Sequence, residues 1–319
     1  AYVTVVNINS CSEARDHVSP VPSAEEIAAW VIALADNRVR EPLLWRLADG
    51  FLEGEASAIR LHQDALARAG HAANLYRAFC DAAGVDDVAA VTTSAVRDAS
   101  NGSAFVAELR ERFELDCRVL DGDEEARLTY MGAISSRSGE ERLLVVDIGG
   151  GSTEMVVGKG QEPTFHTSLQ AGVVRHTERQ LPSDPPSATE LENLAGDIKS
   201  LISGALEDLD SKHVDRAIGV AGTPSSLAAV DLELVPYDSL AVEGHVLELT
   251  KVQKLLSMLS SMPLEERKKV PGLHPARARA IVAGGVILIE VMRAFDLDRI
   301  EVSEHDILYG GVISVAGAL

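Results

Sequence analysis

Three consecutive glycines stand between two apolar runs in the segment LLVVDIGGGSTEMVVG, from Leu143 to Gly158. Glycine loses more backbone freedom on folding than any other residue, so a triplet at a turn indicates that a ligand must approach the main chain closely. We predict two strands joined by a loop whose N–H groups converge on one point and suit phosphate oxygens. The alternative is a glycine-rich hairpin with incidental acids. The phosphate-binding candidates in this loop are Gly149, Gly150, Gly151 and Ser152.

Two carboxylates flank the glycine loop, Asp147 before it and Glu154 after it. A carboxylate beside a phosphate is repulsive unless a cation lies between them. The pair therefore predicts either a Mg²⁺ or Mn²⁺ ion held by Asp147 and Glu154, or one carboxylate that orients a water molecule.

The balance of charge narrows the classes of partner. The chain has 29 Lys and Arg against 49 Asp and Glu, which gives a formal net charge of −20. Such an acidic surface argues against non-specific binding to nucleic acid or to an anionic membrane. Any phosphate site must then be locally basic or loaded with metal. The few aromatic residues, 2 Trp and 6 Phe among them, also offer little surface for stacking nucleic acid bases.

The sequence shows no sign of export or of a structural metal. Its 3 cysteines lack a C-x-x-C spacing, so a zinc site and a disulfide framework are both disfavoured. The first residues lack the basic start and apolar stretch of a signal peptide. The longest apolar stretch, Ala280 to Ile289, is too short to span a bilayer. We expect a cytoplasmic protein.

Strand and helix patterns alternate along the 319 residues, which predicts an α/β fold, and the length suggests two domains. The predicted strands outside the hairpin are Tyr2–Ile8, Val88–Thr93, Ala217–Val220 and Arg299–Val302. The predicted helices are Glu55–Gly84, Ser103–Phe113, Glu190–Leu209 with a capping box of Ser187 and Glu190, one capped by Thr250 and Gln253, and Ala276–Phe295 broken softly at Gly284-Gly285. Residues 24–37 fit a helix or a strand.

Three further segments carry candidate site residues, each with a simpler explanation beside it. Arg97 follows a predicted strand, where ligands bind in α/β sheets, and is either a phosphate ligand or a solvated surface residue. In DGDEEARL, Glu124 or Glu125 is a general base, or the run is an acidic helix start. In VAGTPSSL, Gly222 and Thr223 form a second phosphate contact or a plain helix cap.

Six ordered motifs together resemble the exopolyphosphatase / guanosine-pentaphosphate phosphohydrolase family, within the actin, sugar-kinase and heat-shock ATPase superfamily. The motifs are TSAVRDASN from Thr93, DGDEEARL from Asp121, DIGGGSTE from Asp147, AGTPSSLA from Ala221, GLHPARARAIVAGG from Gly272 and VSEHDILYGG from Val302. The sequence contains neither a nucleophile elbow nor a P-loop. The resemblance extends from about Val88 to the C-terminus.

The resemblance implies two ribonuclease-H-like domains flanking a cleft, one formed by residues 1–126 plus 304–319 and the other by residues 127–303. It implies stepwise hydrolysis of a terminal phosphoanhydride, with Glu125 as the base that activates water. Asp147 and Glu154 would organise metal and water, and Arg97 would bind phosphate. A homodimer is expected by analogy.

The chain departs from the family at its first strand. The family opens with D-x-G-S-N-S, and the best match here is Asn7 to Ser12, with Asn for the aspartate, Asn for the glycine and Cys for the asparagine. Asn7 cannot supply the charge that helps to hold Mg²⁺. Ser10 keeps a hydroxyl for phosphate binding.

Two hypotheses of different classes follow. The first is a metal-dependent phosphohydrolase that acts on polyphosphate or guanosine pentaphosphate. The second, motivated by the altered first loop, is a regulator that binds a phosphorylated ligand without turnover. A kinase of the same superfamily is a weaker third. The extra helical domains that larger family members carry are not found in this sequence, which together with the charge favours a short substrate over a long polymer.

Overall fold

The computed structural model describes residues 3–7, 52–53, 60–61, 70, 73, 87–137 and 139–316. Three predictions therefore lie wholly or largely outside the described residues: the loop at 8–12 with Ser10, the ambiguous segment at 24–37, and the helix over 55–84. Within 55–84, Gly70 and Ala73 are helical as predicted, whereas Arg60–Leu61 form a strand paired with Leu52–Glu53, so the predicted helix is wrong near its start. No helix in the described part of the chain is both long and apolar enough to cross a membrane.

The chain divides into two compact units, one formed by Ala1–Gly122 with Gly311–Leu319 and the other by Asp123–Gly310. The resemblance placed the corresponding boundaries at residues 126 and 303. The second unit therefore starts earlier and ends later than the resemblance implies, and this matters for the site, because Glu125 and the loop that follows Val302 both belong to the second unit.

The first unit contains a small parallel sheet of three strands and a separate pair of strands. The strands of the unit are β1 (Val3–Asn7), β2 (Leu52–Glu53), β3 (Arg60–Leu61), β4 (Asp87–Thr92) and β5 (Cys117–Val119). Its helices are α1 (Ser94–Asp98) and α2 (Gly102–Phe113). β4 lies between β1 and β5 and is parallel to both, while β2 and β3 form a separate antiparallel pair. Phe105 and Leu109, one turn apart on α2, are both buried, so the apolar face of that helix forms part of the core.

The second unit is built on a six-stranded mixed sheet. Its strands are β6 (Arg142–Ile148), β7 (Thr153–Lys159), β8 (Glu162–Leu169), β9 (Arg216–Val220), β10 (Val246–Glu248) and β11 (Arg299–Val302). The order across the sheet is β10-β11-β9-β6-β7-β8. The central strands β11, β9 and β6 are parallel, so the loops after all three leave the sheet at one edge. Ligand sites in α/β sheets form at this edge.

Helices cover both faces of this sheet. The helices from here to the end of the described chain are α3 (Gly122–Ile134), α4 (Val173–Gln180), α5 (Ala188–Ala205), α6 (Gly222–Asp231), α7 (Ser239–Val242), α8 (Leu249–Ser260), α9 (Leu264–Arg267), a 3₁₀ turn (Pro275–Arg277), α10 (Ile281–Ala294) and α11 (Ile307–Ala316), which passes into the first unit at Gly311. On β6, Leu144 and Val146 pack into the larger core with α5 and α10, whereas Leu143 and Val145 pack into a smaller core with α3. Because side chains alternate along a strand, Asp147 lies on the α3 face.

The predicted strands and most helices are confirmed to within a few residues, and the capping box of α5 is present, with Ser187 Oγ accepting from Glu190 N. Two further local predictions are wrong. Thr250 does not cap a helix, because the chain passes directly from β10 into α8, which begins at Leu249. The helix at 276–295 is not broken at its glycines: α10 runs unbroken through Gly284, where a Cβ would lie 2.5 Å from Thr223 Oγ1. Those glycines allow close packing.

Candidate functional site

The β6–β7 hairpin holds the two predicted carboxylates side by side. Asp147 and Glu154 are directly paired residues in the antiparallel register, and a four-residue loop closes the hairpin beyond them. Glu154 is buried and accepts a hydrogen bond from Ser168 Oγ at 2.9 Å, a donor that lies opposite it on β8. Directly opposed carboxylates are unfavourable neighbours. The hairpin therefore concentrates negative charge next to the glycine loop.

The carbonyl groups of the glycine loop all face the first turn of α4. Gly149 O accepts from Val173 N at 3.0 Å, Gly150 O accepts from Val174 N at 3.0 Å, and Gly151 O accepts from the Nε of Arg175 at 3.0 Å. The three glycine carbonyls of the loop thus bind the N-terminus of α4, where backbone N–H groups lack partners within the helix.

This arrangement fixes the direction of the loop's N–H groups. In a trans peptide the N–H of a residue points opposite to the carbonyl of the residue before it. With the three glycine carbonyls directed at α4, the N–H groups of Gly150, Gly151 and Ser152 are directed away from it. Successive N–H groups on one side of a loop form an anion-binding concavity. The geometry thus has the form of the predicted phosphate cradle, except at Gly149, whose N–H donates to Ser152 O at 3.0 Å within the hairpin.

Helix α3 brings Glu125 to the same face of the sheet. Glu125 lies in the first turn of α3 and is 6% exposed. The helix is fixed on the sheet by Tyr130, whose hydroxyl donates to Gly160 O at 3.1 Å and whose ring lies where a Cβ on Gly158 would stand. Of the two glutamates that the sequence left open, Glu124 is the more exposed. Burial therefore favours Glu125 as the functional residue.

Asp147 is the centre of a group of four carboxylates. Burial raises the pKa of Asp147 well above its usual range. The nearby carboxylates of Glu154, Asp306 and Glu125, in that order of effect, raise this pKa further. A cluster of like charges of this kind favours either a bound proton or a bound cation.

Asp306 is a member of this group that the sequence analysis did not single out, although it lies within the motif VSEHDILYGG. It follows β11, and its Oδ1 accepts from Leu308 N at 2.9 Å, which helps to start α11. Ser303 N donates to Gly219 O at 2.9 Å and so continues the β11–β9 pairing into this loop. The signal that could have identified Asp306 is its place just beyond the third parallel strand.

A second predicted phosphate contact follows β9, the strand next to β6. Ala221 has φ +67° and ψ −168°, a conformation that suits the glycine of the family pattern better than alanine. A Cβ on Gly222 would lie 2.5 Å from the Cζ of Arg277, so that guanidinium covers the turn. Thr223 is buried against Gly284. The turn thus carries a cation, Arg277, which the sequence analysis also did not single out.

The donor set fits a metal ion that arrives together with a phosphate. Across the described residues, no three His, Cys, Asp or Glu side chains form a ready set of metal ligands. Mg²⁺ is commonly held by one or two carboxylates, with waters and substrate phosphates completing its shell. The paired Asp147 and Glu154 supply such carboxylates. The pKa of Asp147 is raised first by burial and then by the neighbouring carboxylates, and a cation would offset the negative charge of that group.

Arg97 belongs to the first unit. It lies on α1, with its Nη1 donating to Leu120 O at 2.7 Å, and Leu120 N in turn donates to Thr92 O at 2.9 Å. The Arg97 side chain is 28% exposed. Its role as a phosphate ligand stays a prediction, and so does that of Ser10, which lies outside the described residues.

Comparison with known proteins gives the same family along most of the chain. The sequence profile of the Ppx/GppA phosphatase family matches residues 40–314. Exopolyphosphatase 2 of Mycobacterium tuberculosis is 31% identical over 288 residues, which span 87% of this chain and 89% of that protein. The guanosine-5'-triphosphate,3'-diphosphate pyrophosphatase of Vibrio cholerae is 28% identical over 255 residues, spanning 79% of this chain and 49% of that protein.

Solved structures agree with the profile. The Ppx/GppA family member of Aquifex aeolicus superposes with a TM-score of 0.71 at 31% identity, over 81% of this chain and 83% of that one. An exopolyphosphatase from Cytophaga hutchinsonii shares the mixed α/β fold with a TM-score of 0.76 at 22% identity, over 84% of this chain and 86% of that one. The resemblance drawn from six motifs is confirmed, and the chain belongs to the Ppx/GppA phosphatase family.

Proposed function

We propose that the chain is a metal-dependent phosphohydrolase that releases terminal phosphate from a short polyphosphate or from guanosine pentaphosphate. The single observation that carries this proposal is the loop at 149–152, whose N–H groups are directed away from α4 beside paired carboxylates. Relatives named exopolyphosphatase and guanosine-5'-triphosphate,3'-diphosphate pyrophosphatase support the choice of a phosphoanhydride substrate.

Each group then has a role in phosphoryl transfer, which depends on positioning and charge neutralisation more than on covalent chemistry. The N–H groups of Gly150, Gly151 and Ser152 hold the terminal phosphate. The Glu125 carboxylate accepts the proton of the attacking water. Glu125 is buried, and its carboxylate lies close enough to Asp147 to raise the pKa of Asp147, which places it beside the proposed metal-binding pair.

Asp147 and Glu154 are the residues that would hold Mg²⁺ or Mn²⁺. The ion would supply positive charge opposite the developing charge of the leaving and transferred groups. Gly222 and Thr223 would contact a further phosphate at the neighbouring turn. Arg97 and Ser10 are proposed as phosphate ligands of the first unit.

Binding without turnover is the second candidate function. The observation that favours it is Asn7, the last residue of β1, which stands where the family pattern has an aspartate. An amide brings no charge to a metal site. In that case the ligand would bind the glycine loop, and the protein would act as a regulator.

Phosphate release from a graded set of substrates separates the two functions. Purified protein is given polyphosphates of increasing length and guanosine pentaphosphate, each with Mg²⁺, with Mn²⁺ and with a chelator. We expect metal-dependent release at about 1 per second or faster, fastest on the short chains. Micromolar binding of the same compounds without release would favour the regulator.

The substrate length, the homodimer, the cytoplasmic location and the two ribonuclease-H-like domains flanking a cleft stay predictions.

A further inference from the structure

Arg175 binds the glycine loop at two successive peptide groups. Its Nε donates to Gly151 O at 3.0 Å, and its main-chain N–H donates to Gly150 O at 3.4 Å. The next peptide N–H after Gly151 O is that of Ser152, the last donor of the proposed cradle. The Arg175 side chain therefore lies directly behind one of the N–H groups that would hold phosphate.

The contact between α4 and the loop is close enough to require glycine at position 172. A Cβ on Gly172, the residue before α4, would lie 2.1 Å from Gly150 O and 2.2 Å from the carbonyl carbon of Gly151. Val173 and Val174 bind the other two loop carbonyls through their main-chain N–H groups. Turning over any of these three peptides would break a hydrogen bond to α4, and this favours one direction for their N–H groups.

The part of α4 that contacts the loop also carries positive charge. The N-terminus of a helix bears a partial positive charge, and Arg175 adds a full one. A donor bound to a carbonyl oxygen polarises that peptide and strengthens its N–H as a donor on the far side. Asp147 and Glu154 would otherwise make the region repulsive to an anion.

We infer that Arg175 is a positioning residue of the phosphate cradle: it fixes the Gly151–Ser152 peptide and lends it positive charge, and it thereby sets the affinity for the terminal phosphate. The inference rests on the proposed function for the nature of the ligand. It adds to that function that a side chain outside the loop controls how tightly the loop binds phosphate. A residue that served only to stabilise the loop would affect unfolding but not the affinity of the folded protein for phosphate.

Three variants compare the charge of the Arg175 side chain with its hydrogen bond to Gly151 O. Arg175→Met removes both the charge and the side-chain donor. Arg175→Gln keeps a neutral side-chain donor, and Arg175→Lys keeps the positive charge. Arg179→Met is the matched control, because Arg179 is exposed one turn later on the same helix. Binding of tripolyphosphate in the presence of Mg²⁺ is measured by calorimetry. KM and kcat for tripolyphosphate and inhibition by inorganic phosphate are measured in parallel, with melting temperatures to confirm folding.

We expect Arg175→Met to weaken tripolyphosphate binding and phosphate inhibition by about tenfold or more, the scale of a hydrogen bond to a charged group. KM should rise by a similar factor with a smaller change in kcat. Arg175→Gln and Arg175→Lys should each recover part of the affinity, and Arg179→Met should match the wild type. Should Arg175→Met fail to fold, the Gln and Lys variants carry the same comparison.

Two results would overturn the inference. One is an unchanged affinity in folded Arg175→Met, or in both milder variants. The other is an equal loss in Arg179→Met, which would indicate a general charge effect. Failure of the proposed function is a different result: a wild type that binds tripolyphosphate without hydrolysing it refutes the hydrolase, while the calorimetric comparison still tests Arg175.

Discussion

Two loops at the same edge of the large sheet differ in the charge that surrounds them. The glycine loop at 149–152 and the turn at 221–223 follow neighbouring parallel strands, since Asp147 is paired with Val220. The first has carboxylates on both flanks, whereas the guanidinium of Arg277 covers the second. A phosphate chain placed along this edge would meet the carboxylates proposed to hold a metal ion at one loop and the guanidinium of Arg277 at the other. From this difference we expect the first loop to act in hydrolysis and the second loop to bind phosphate.

Removing the proposed base should have the largest effect on catalysis. Glu125→Gln keeps the volume of a 6% exposed side chain and removes its ability to accept a proton. We expect kcat to fall by about 10²–10⁴ with little change in KM, as for the loss of a general base. Asp123→Asn in the same helical turn, where the side chain is 87% exposed, should leave the rate unchanged. Equal rates in Glu125→Gln and the wild type would assign the base elsewhere.

The cation at the second loop should act on binding. Arg277→Met removes the guanidinium that lies against Gly222. We expect KM for a short polyphosphate to rise by roughly 10–100-fold, because a hydrogen bond to a charged group contributes about 1.5–3 kcal/mol. kcat should change much less. A fall in kcat at constant KM would contradict the division between the two loops.

Neutralising the centre of the carboxylate group should stabilise the protein while it inactivates it. The pKa of Asp147 is raised, so the folded state holds this proton to a higher pH than the unfolded chain does. The wild type therefore loses stability as the pH rises through that raised pKa. We expect Asp147→Asn, in the presence of a chelator, to raise the free energy of unfolding by about 1 kcal/mol or more, with the gain growing toward high pH.

Added Mg²⁺ sharpens the same experiment. A cation that binds the folded state stabilises it by mass action, so Mg²⁺ should raise the melting temperature of the wild type. It should have little effect on Asp147→Asn. Equal Mg²⁺ effects on both proteins would place the ion away from Asp147.

The two loops also differ in how much of their surroundings the sequence predicts. The hairpin was predictable because its signals are local: a glycine triplet, flanking acids and two apolar runs fall within one short segment. Its register then fixes the pairing of Asp147 with Glu154. Asp306 and Arg277 reach the site through long-range packing, by the pairing of β11 with β9 and by the turn that precedes α10. Both residues lie within motifs of the sequence, but the motifs do not show that these two side chains come close to the hairpin.

The same reason accounts for the errors at Thr250 and Gly284. A Thr and a Gln three residues apart suggest a cap, but the exit of β10 decides where α8 begins. Glycines in a helix suggest a break, but Thr223 occupies the space that a side chain at Gly284 would need. In both cases a neighbour distant in sequence overrides a local preference.

The smallest expected effect concerns the backbone of the second loop. Ala221 has a positive φ that an L-residue adopts at a cost of about 1–3 kcal/mol, and glycine avoids this cost at the price of a more flexible unfolded chain. We expect Ala221→Gly to raise the free energy of unfolding by about 1 kcal/mol. Ala221→Val should lower it by more than that, because a β-branched residue tolerates this conformation least. Urea unfolding of both variants measures the changes. If both variants destabilise the protein, then the Ala221 methyl group makes a favourable contact that outweighs its strained backbone, and the turn is built for alanine.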